Sequence, residues 1–330
     1  VLSTGDKKAN KEIIMKEMVL ITGGSGSIGK FLTDLLINSG YEVIVLSRKT
    51  KKQNSSSLQW AHWNPETRSI DIEALQKADY IIHLAGENIG NKRWSYRQKN
   101  KILQSRIAGS ELLVKTLKEN KNSVKAVISA SGIGFYGEDL NPKTRFEETD
   151  PAGKTFLAKV CQEWEKSVQP IQNELGKRLV IFRTSVVMDP KSGALKEFLK
   201  PLKFRLATIL GNGTQKLSWI HIQDAVQAYL FALRNEKMEG IYNLCAPQII
   251  TYRQTIIKLA KEKYGNSFLP VKIPGFILKT LMGEMAEEMV LKGTSASCHK
   301  LLKSEFRFLY PSFGKDCVRN LLNIKKKLPQ

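Results

Sequence analysis

The chain has 330 residues, 42% hydrophobic and 25% charged, a composition ordinary for a globular protein and long enough for one large or two modest domains. Lys and Arg outnumber Asp and Glu by 52 to 31, a net charge of +21, but the basic residues are spread along the whole chain with no aromatic-interleaved basic motif, which argues against nucleic acid as the partner. No apolar run reaches membrane-spanning length, and the four cysteines (Cys161, Cys245, Cys298, Cys317) form no CxxC pair, which argues against a zinc site or disulfide framework and points to a reducing cytoplasm.

The first 17 residues are mostly polar, and Met15 or Met18 reads as a more natural start, so 1–17 are expected to be a disordered lead-in. Val19–Thr22 then forms a short apolar strand that runs into Gly23-Gly24-Ser25-Gly26-Ser27-Ile28-Gly29. Ile28, Phe31, Leu32, Leu35 and Leu36 follow at helical spacing, which predicts a helix over Ser27–Asn38. Strand, glycine turn and helix together are the chemistry of a dinucleotide site. One glycine makes the tight turn, another lets the backbone approach a pyrophosphate, and a third lets helix pack on strand. The free N–H groups at the helix start face the phosphates.

Further strands are expected at Glu42–Leu46, Gln59–Trp63, Tyr80–Leu84, Lys125–Ser129 and Arg178–Arg183. Helices are expected at Ile72–Lys77, Ser95–Glu119 and Lys154–Leu175, the last kinked or shortened near Pro170. This βα alternation with apolar strands predicts an α/β, Rossmann-type doubly wound parallel sheet. After Thr184 the pattern loosens. Ser218–Ile222, a helix over 222–234 and a strand at Gly240–Leu244 are expected to return to the sheet, and the last 80 residues read as helices and loops. Residues 18–190, with 218–244, are therefore assigned to a nucleotide-binding domain; 191–217 and 245–330 form a smaller, mostly helical substrate lobe over the strand C-termini.

An NAD site usually carries an acid at the end of the second strand, bonded to the ribose 2′-hydroxyl. Here the strand ends Val45-Leu46-Ser47-Arg48-Lys49, with no acid. Arg48 can grip a 2′-phosphate through a bidentate fork, so NADP(H) is the expected cofactor. The short basic runs at Arg48–Lys52, 92–106 and Lys325–Lys327 otherwise read as solvated surface.

Several further motifs occur in order: His83-Leu84-Ala85-Gly86-Glu87-Asn88-Ile89, Arg93-Trp94, Ser105-Arg106, Ser129–Gly137, Val160–Glu165, Ser218–Asp224 and Tyr242-Asn243-Leu244. With the glycine turn they resemble the extended short-chain dehydrogenase/reductase superfamily, and more narrowly its atypical branch of epimerase family proteins, labelled nucleoside-diphosphate-sugar epimerase-like. Gly283-Glu284-Met285-Ala286 and Phe306-Arg307-Phe308 leading to Tyr310-Pro311 fit the C-terminal segment of that branch. The resemblance spans about residues 18 to 322. It implies that Gly23, Gly26, Ser27, Ile28 and Gly29 hold the pyrophosphate and Arg48 the 2′-phosphate. It places Leu84, Ala85 and Gly86 against the riboses, and Ser129, Ala130, Arg183, Thr184 and Ser185 near the nicotinamide.

The chain departs from the superfamily at its catalytic pair. Active members use Tyr-x-x-x-Lys, one helical turn apart, so that the lysine lowers the tyrosine pKa and the phenolate moves a proton. None of the nine tyrosines here has a lysine four residues on. The expected helix carries Lys159, but Thr155 stands four residues before it, and an alcohol's pKa is too high to replace a phenol. The branch shares this absence. Three readings follow: a reductase or epimerase with another acid/base group, an NADP(H)-binding or redox-sensing protein without turnover, or a structural partner. Ser131 and Tyr136 are the acid/base candidates, with Lys159 orienting a ribose.

Arg93, Trp94, Trp219 and His221 are the candidate substrate contacts, with core packing the competing reading for Trp219 and Phe204. His83 is read as packing or cofactor support, Asp224 as a helix N-cap or first-turn acid, Arg106 as half of a structural ion pair, and Cys161 and Cys245 as core. No cluster has metal-ligand spacing, so no metal is expected. The expected partner is a small-molecule substrate, with a homodimer left open.

Overall fold

The computed structural model describes residues 16–49, 55–139 and 145–324. Most of the expected lead-in and the basic residues Lys51, Lys52 and Lys325–Lys327 lie outside them. Glu17, assigned to the lead-in, is in place: its carboxylate accepts from Tyr80 Oη at 3.1 Å and Lys125 Nζ at 2.7 Å.

Strands β1 (Met18–Thr22), β2 (Glu42–Ser47), β3 (Leu58–Asn64), β4 (Ser69–Ile70), β5 (Tyr80–His83), β6 (Ala126–Gly132) and β7 (Arg178–Thr184) form the first half of the architecture. Then come β8 (Val186–Met188), β9 (Leu206–Leu210), β10 (Lys216–Leu217), β11 (Trp219–His221), β12 (Gly240–Leu244), β13 (Ile250–Thr251) and β14 (Leu269–Ile273). The main sheet has eight strands in the order β12-β7-β6-β5-β1-β2-β3-β4, all parallel except the short β4. Strand order reverses at β1, between β5 and β2. That reversal opens a crevice at the strand C-termini, where open α/β sheets bind ligands.

Alternate residues of one strand feed two cores. Val19 and Ile21 pack with Leu32 and Leu36 of α1 (Ser27–Asn38) and with α7 (Ile222–Arg234) on one face. Leu20 packs on the other face, with Leu75 of α2 (Ile72–Gln76) and with Leu112, Leu113 and Leu117 of α3 (Tyr96–Glu119). The predicted long helix over 154–175 is two: α4 (Phe156–Val168) and α5 (Pro170–Asn173). Pro170 has no N–H to continue α4's ladder and starts the second piece at its first position, where no donor is needed.

The lobe has its own core, built on α6 (Gly193–Leu202) and α8 (Tyr252–Tyr264) with Leu195, Leu202, Ile256, Leu259 and Phe313. It contains a parallel pair, β9 and β14, that the sequence pattern did not show. Pro270 sits inside β14 and hid it; proline is tolerated because β14 is an edge strand. α9 (Gly275–Met282) follows it.

Phe182 is fully buried and meets the rings of Tyr229 and Tyr242 edge-on at 5.0 and 6.4 Å. Phe182→Ala is expected to lower unfolding stability by about 3–5 kcal/mol in a urea titration.

Candidate functional site

The glycine turn sits at the strand-order reversal. Gly23 has φ +72°, and a Cβ there would stand 2.9 Å from the backbone N of Ala85. At Gly29 a Cβ would come within 2.5 Å of the Gly23 carbonyl oxygen, so only glycine lets α1 start this close to β1. Gly26 caps α1 with no side-chain bond and no acid occupies the first turn. The leading amides therefore open onto the crevice with the positive end of the helix dipole.

The turn is locked to the loop after β5. Thr22 Oγ1 accepts from the amides of Leu84 and Ala85, both at 3.2 Å, and lies 2.7 Å from His83 Nδ1. The hydroxyl proton then goes to Nδ1. Nε2 carries the ring proton and donates to Ser110 Oγ at 3.3 Å, and Ser110 donates to the Arg106 carbonyl at 3.0 Å. Burial holds His83 neutral, with its pKa lowered to about 4, helped by the nearby Arg106 charge. His83 is thus a structural link within the sheet edge, with Leu84, Ala85 and Gly86 carried beside the turn.

At the end of β2, Arg48 and Lys49 are exposed, and neither pairs with an acid among the described residues. Ser27 Oγ donates to Asp189 Oδ2 at 2.5 Å, which ties the turn to the segment entering the lobe. Asp189 also accepts from Ser192 Oγ at 2.7 Å and the Lys191 amide at 2.9 Å. Its role was not foreseen, since nothing local in the sequence pairs residues 27 and 189.

The catalytic candidates do not present free groups to the crevice. Ser131 is 6% exposed and donates to Glu165 Oε1 at 2.7 Å. Arg183 clamps the same carboxylate, Nε to Oε1 at 2.9 Å and Nη2 to Oε2 at 2.8 Å. Arg183 Nη1 donates to Tyr136 Oη at 2.9 Å, and Tyr136 donates to Asn243 Oδ1 at 2.8 Å. Tyr136 stacks on Phe146 at 4.9 Å, and burial pushes its pKa up to about 12. The Asn243 amide reaches Glu148 at 2.7 Å. Ser131, Tyr136 and Arg183 are therefore knit into one buried network. Ser129 is fully buried, and Ser185 bonds the Leu244 carbonyl at 2.9 Å; Ala130 and Thr184 remain part-exposed at the strand ends.

Lys159 is exposed on the face of α4 turned away from the sheet. The face that meets the end of β6 carries Leu157 and Cys161. Leu157 Cβ lies 3.1 Å from where a Cβ on Gly134 would be, and Cys161 Sγ 3.6 Å from one on Gly132. These two share the i, i+4 spacing of the missing pair. α4 therefore turns Leu157 and Cys161 toward the end of β6 and Lys159 to solvent; the sequence could not say which face of α4 was inward. Burial pushes the Cys161 thiol up to about 11.

Arg93, an expected substrate contact, is exposed and lies beside Gly283, where a Cβ would stand 3.3 Å from its Nε. Trp94 is buried, edge-on to Phe156 at 4.9 Å, with Nε1 donating to the Ile89 carbonyl. It is a wall behind the crevice and not its surface. Lobe and sheet edge meet closely here. Glu288 caps α4, accepting from the amides of Phe156 and Leu157 at 2.9 Å each. Trp219 takes the core-packing role that competed with substrate contact, and His221, expected as a substrate contact, is buried as well. Trp219 is fully buried against Phe313, its Nε1 bonded to Gln248 O. His221 is 1% exposed, caps α7 through the Gln223 amide and lies against Tyr310, with its pKa lowered by burial to about 4. Both belong to lobe packing, which pulled them off the crevice. Asp224 is the acid in the first turn of α7, one of the two expected roles; its carboxylate accepts from the amides of Leu309 and Tyr310 at 2.6 and 3.0 Å, while His221 is the cap.

Comparisons fit this geometry. The model of the NAD dependent epimerase/dehydratase family matches residues 19–245, and that of a domain of unknown function, DUF1731, matches 273–315. An epimerase family protein of Mycobacterium leprae is 34% identical over 300 residues, 91% of this chain and 94% of its own length. The crystal structure of human epimerase family protein SDR39U1 with NADPH superposes with a TM-score of 0.81 at 27% identity, covering 93% of this chain and 99% of that one. A nucleoside-diphosphate sugar epimerase from Corynebacterium glutamicum gives 0.73 at 28% identity, covering 93% of this chain and 58% of that one.

Two predictions follow from the buried polar groups. Glu165→Ala, which strands Arg183, is expected to cost about 3–5 kcal/mol in urea unfolding. His83 and His221 stay neutral when folded down to about pH 4, but the unfolded chain protonates them below about 6.5. The unfolded state therefore binds more protons between those values, and stability falls as pH drops from about 6.5 to about 4, by roughly 3 kcal/mol per histidine. Melts of the wild type and His83→Asn across this window check it: the variant should lose about half of the dependence. With its sheet order, glycine turn and C-terminal segment, the chain belongs to the NAD dependent epimerase/dehydratase family.

Proposed function

We propose that the protein binds NADP(H) and acts as an oxidoreductase or epimerase on an alcohol or carbonyl carbon of a small molecule, without a Tyr-x-x-x-Lys pair. One observation carries the cofactor: an uncapped α1 behind a glycine turn, with exposed Arg48 and Lys49 and no acid at the end of β2. A helix N-terminus suits the pyrophosphate, and a guanidinium suits a 2′-phosphate. The NADPH carried by the human relative supports the same choice. The bound nicotinamide would supply hydride exchange. The chain's part is to hold it: turn amides on the pyrophosphate, Arg48 on the 2′-phosphate, Leu84, Ala85, Gly86 and Ala130 along the ribose–nicotinamide side. A nucleotide-sugar-like substrate follows from the family label, and the free, buried cysteines support a reducing, cytoplasmic setting.

A second reading, binding without turnover as a redox-responsive protein, is favoured by one observation: the Ser131 and Tyr136 hydroxyls are both consumed inside the Glu165–Arg183 network. Titration and turnover separate the two. NADPH should bind at least tenfold tighter than NADH, and Arg48→Ala should remove that preference (about 1.4 kcal/mol per factor of ten). Stronger NADH binding refutes the cofactor choice. NADPH oxidation with a carbonyl panel, or epimerisation of nucleotide sugars, supports turnover; neither, with tight NADPH binding, supports the second reading.

A further inference from the structure

The missing pair leaves no lysine on α4 to face the nicotinamide half of a cofactor. Another cation lies at the same edge. Arg106 projects from α3 beneath the loop Leu84–Gly86: a Cβ on Gly86 would stand 3.0 Å from its Cζ and 3.2 Å from its Nη2. Its Nη1 donates to the carbonyls of Ile102 at 2.9 Å and Glu87 at 3.1 Å, and the guanidinium lies 4.9 Å from the centre of the Trp164 ring. These contacts fix the group without neutralising it.

The expected ion pair is not formed. Among the described residues no carboxylate lies within 4.0 Å of Arg106. Glu165 is held by Arg183 at 2.8 Å, and the Glu87 carboxylate by Lys101 at 3.6 Å. Cys161, alongside, is a neutral thiol because burial raises its pKa. Arg106 Nε and Nη2 have no protein acceptor among the described residues. A guanidinium does not shed its proton, and Arg106 is only part-buried, so its Nε and Nη2 protons can be reached from the crevice edge. Such a group is held for a ligand that brings acceptors.

We propose that Arg106 binds the ribose hydroxyls of the nicotinamide half of NADP(H) from beneath Gly86, and so orients the nicotinamide against the ends of β5 and β6. This rests on the NADP(H) reading above. It assigns to α3 a task that α4 cannot perform, because the inward face of α4 carries Leu157 and Cys161. The hydroxyls are neutral acceptors, so the interaction is a charge-assisted hydrogen bond.

Calorimetric titration of wild type, Arg106→Gln and Arg106→Lys with NADPH and with 2′,5′-ADP, which lacks the nicotinamide ribose, tests it. Arg106→Gln should weaken NADPH about tenfold and leave 2′,5′-ADP unchanged, and Arg106→Lys should fall between. The 2′,5′-ADP arm also reports that the turn is folded. Gly86→Ala, whose methyl displaces the guanidinium, should reproduce the selective loss. Unchanged NADPH affinity in Arg106→Gln overturns the assignment, as does an equal loss of both ligands, which marks a purely structural arginine. Wild-type protein that binds neither ligand overturns the cofactor reading, and the assignment with it.

Discussion

The bidentate pair between Glu165 and Arg183 governs the edge of the sheet where chemistry is expected. It joins α4 to β7 with both residues almost fully buried. Two charges taken out of water need every lone pair and proton satisfied. That demand recruits Ser131 from β6, Tyr136 from the turn after it, and, through Tyr136, Asn243 from β12. Five segments are thereby fixed against one another. The same demand engages the Ser131 and Tyr136 hydroxyls within the network and holds the Glu165 carboxylate on Arg183.

A second polar device sets the other side of the crevice. Thr22, His83 and Ser110 form a directional chain of donors that ends on a carbonyl of α3. It needs a neutral histidine, and full burial keeps it neutral. The chain holds the loop after β5 against Gly23, where no side chain would fit. Cofactor geometry here thus depends on close backbone approach on one side and on a satisfied buried network on the other. The lobe is fastened to both: Asp189 to Ser27 of the turn, Glu288 to the start of α4.

Much of this was legible in the chain itself. The alternation of apolar strands and amphipathic helices predicts the parallel sheet, and the order of glycines predicts where β1 ends and α1 begins. Both signals are local: they rest on spacing within a dozen residues. The edge pair β9 and β14 was hidden because Pro270 suppresses a strand reading that only an edge position permits. Trp219 and His221 looked like cleft residues because they precede a helix at the right place in the order. The lobe, which packs Phe313 and Tyr310 on them, decided otherwise.

Sequence alone determined the class of fold, the glycine turn between β1 and α1, the basic end of β2 and the lack of a tyrosine four residues before any lysine. Each is a property of neighbours along the chain. Only the tertiary structure decided which face of α4 meets β6, that Glu165 belongs to Arg183, and that among the described residues no carboxylate lies within 4.0 Å of Arg106. Those facts depend on side chains tens of residues apart converging in a low-dielectric interior, where a charge must find a partner or await one, and no local spacing encodes which partner is already taken.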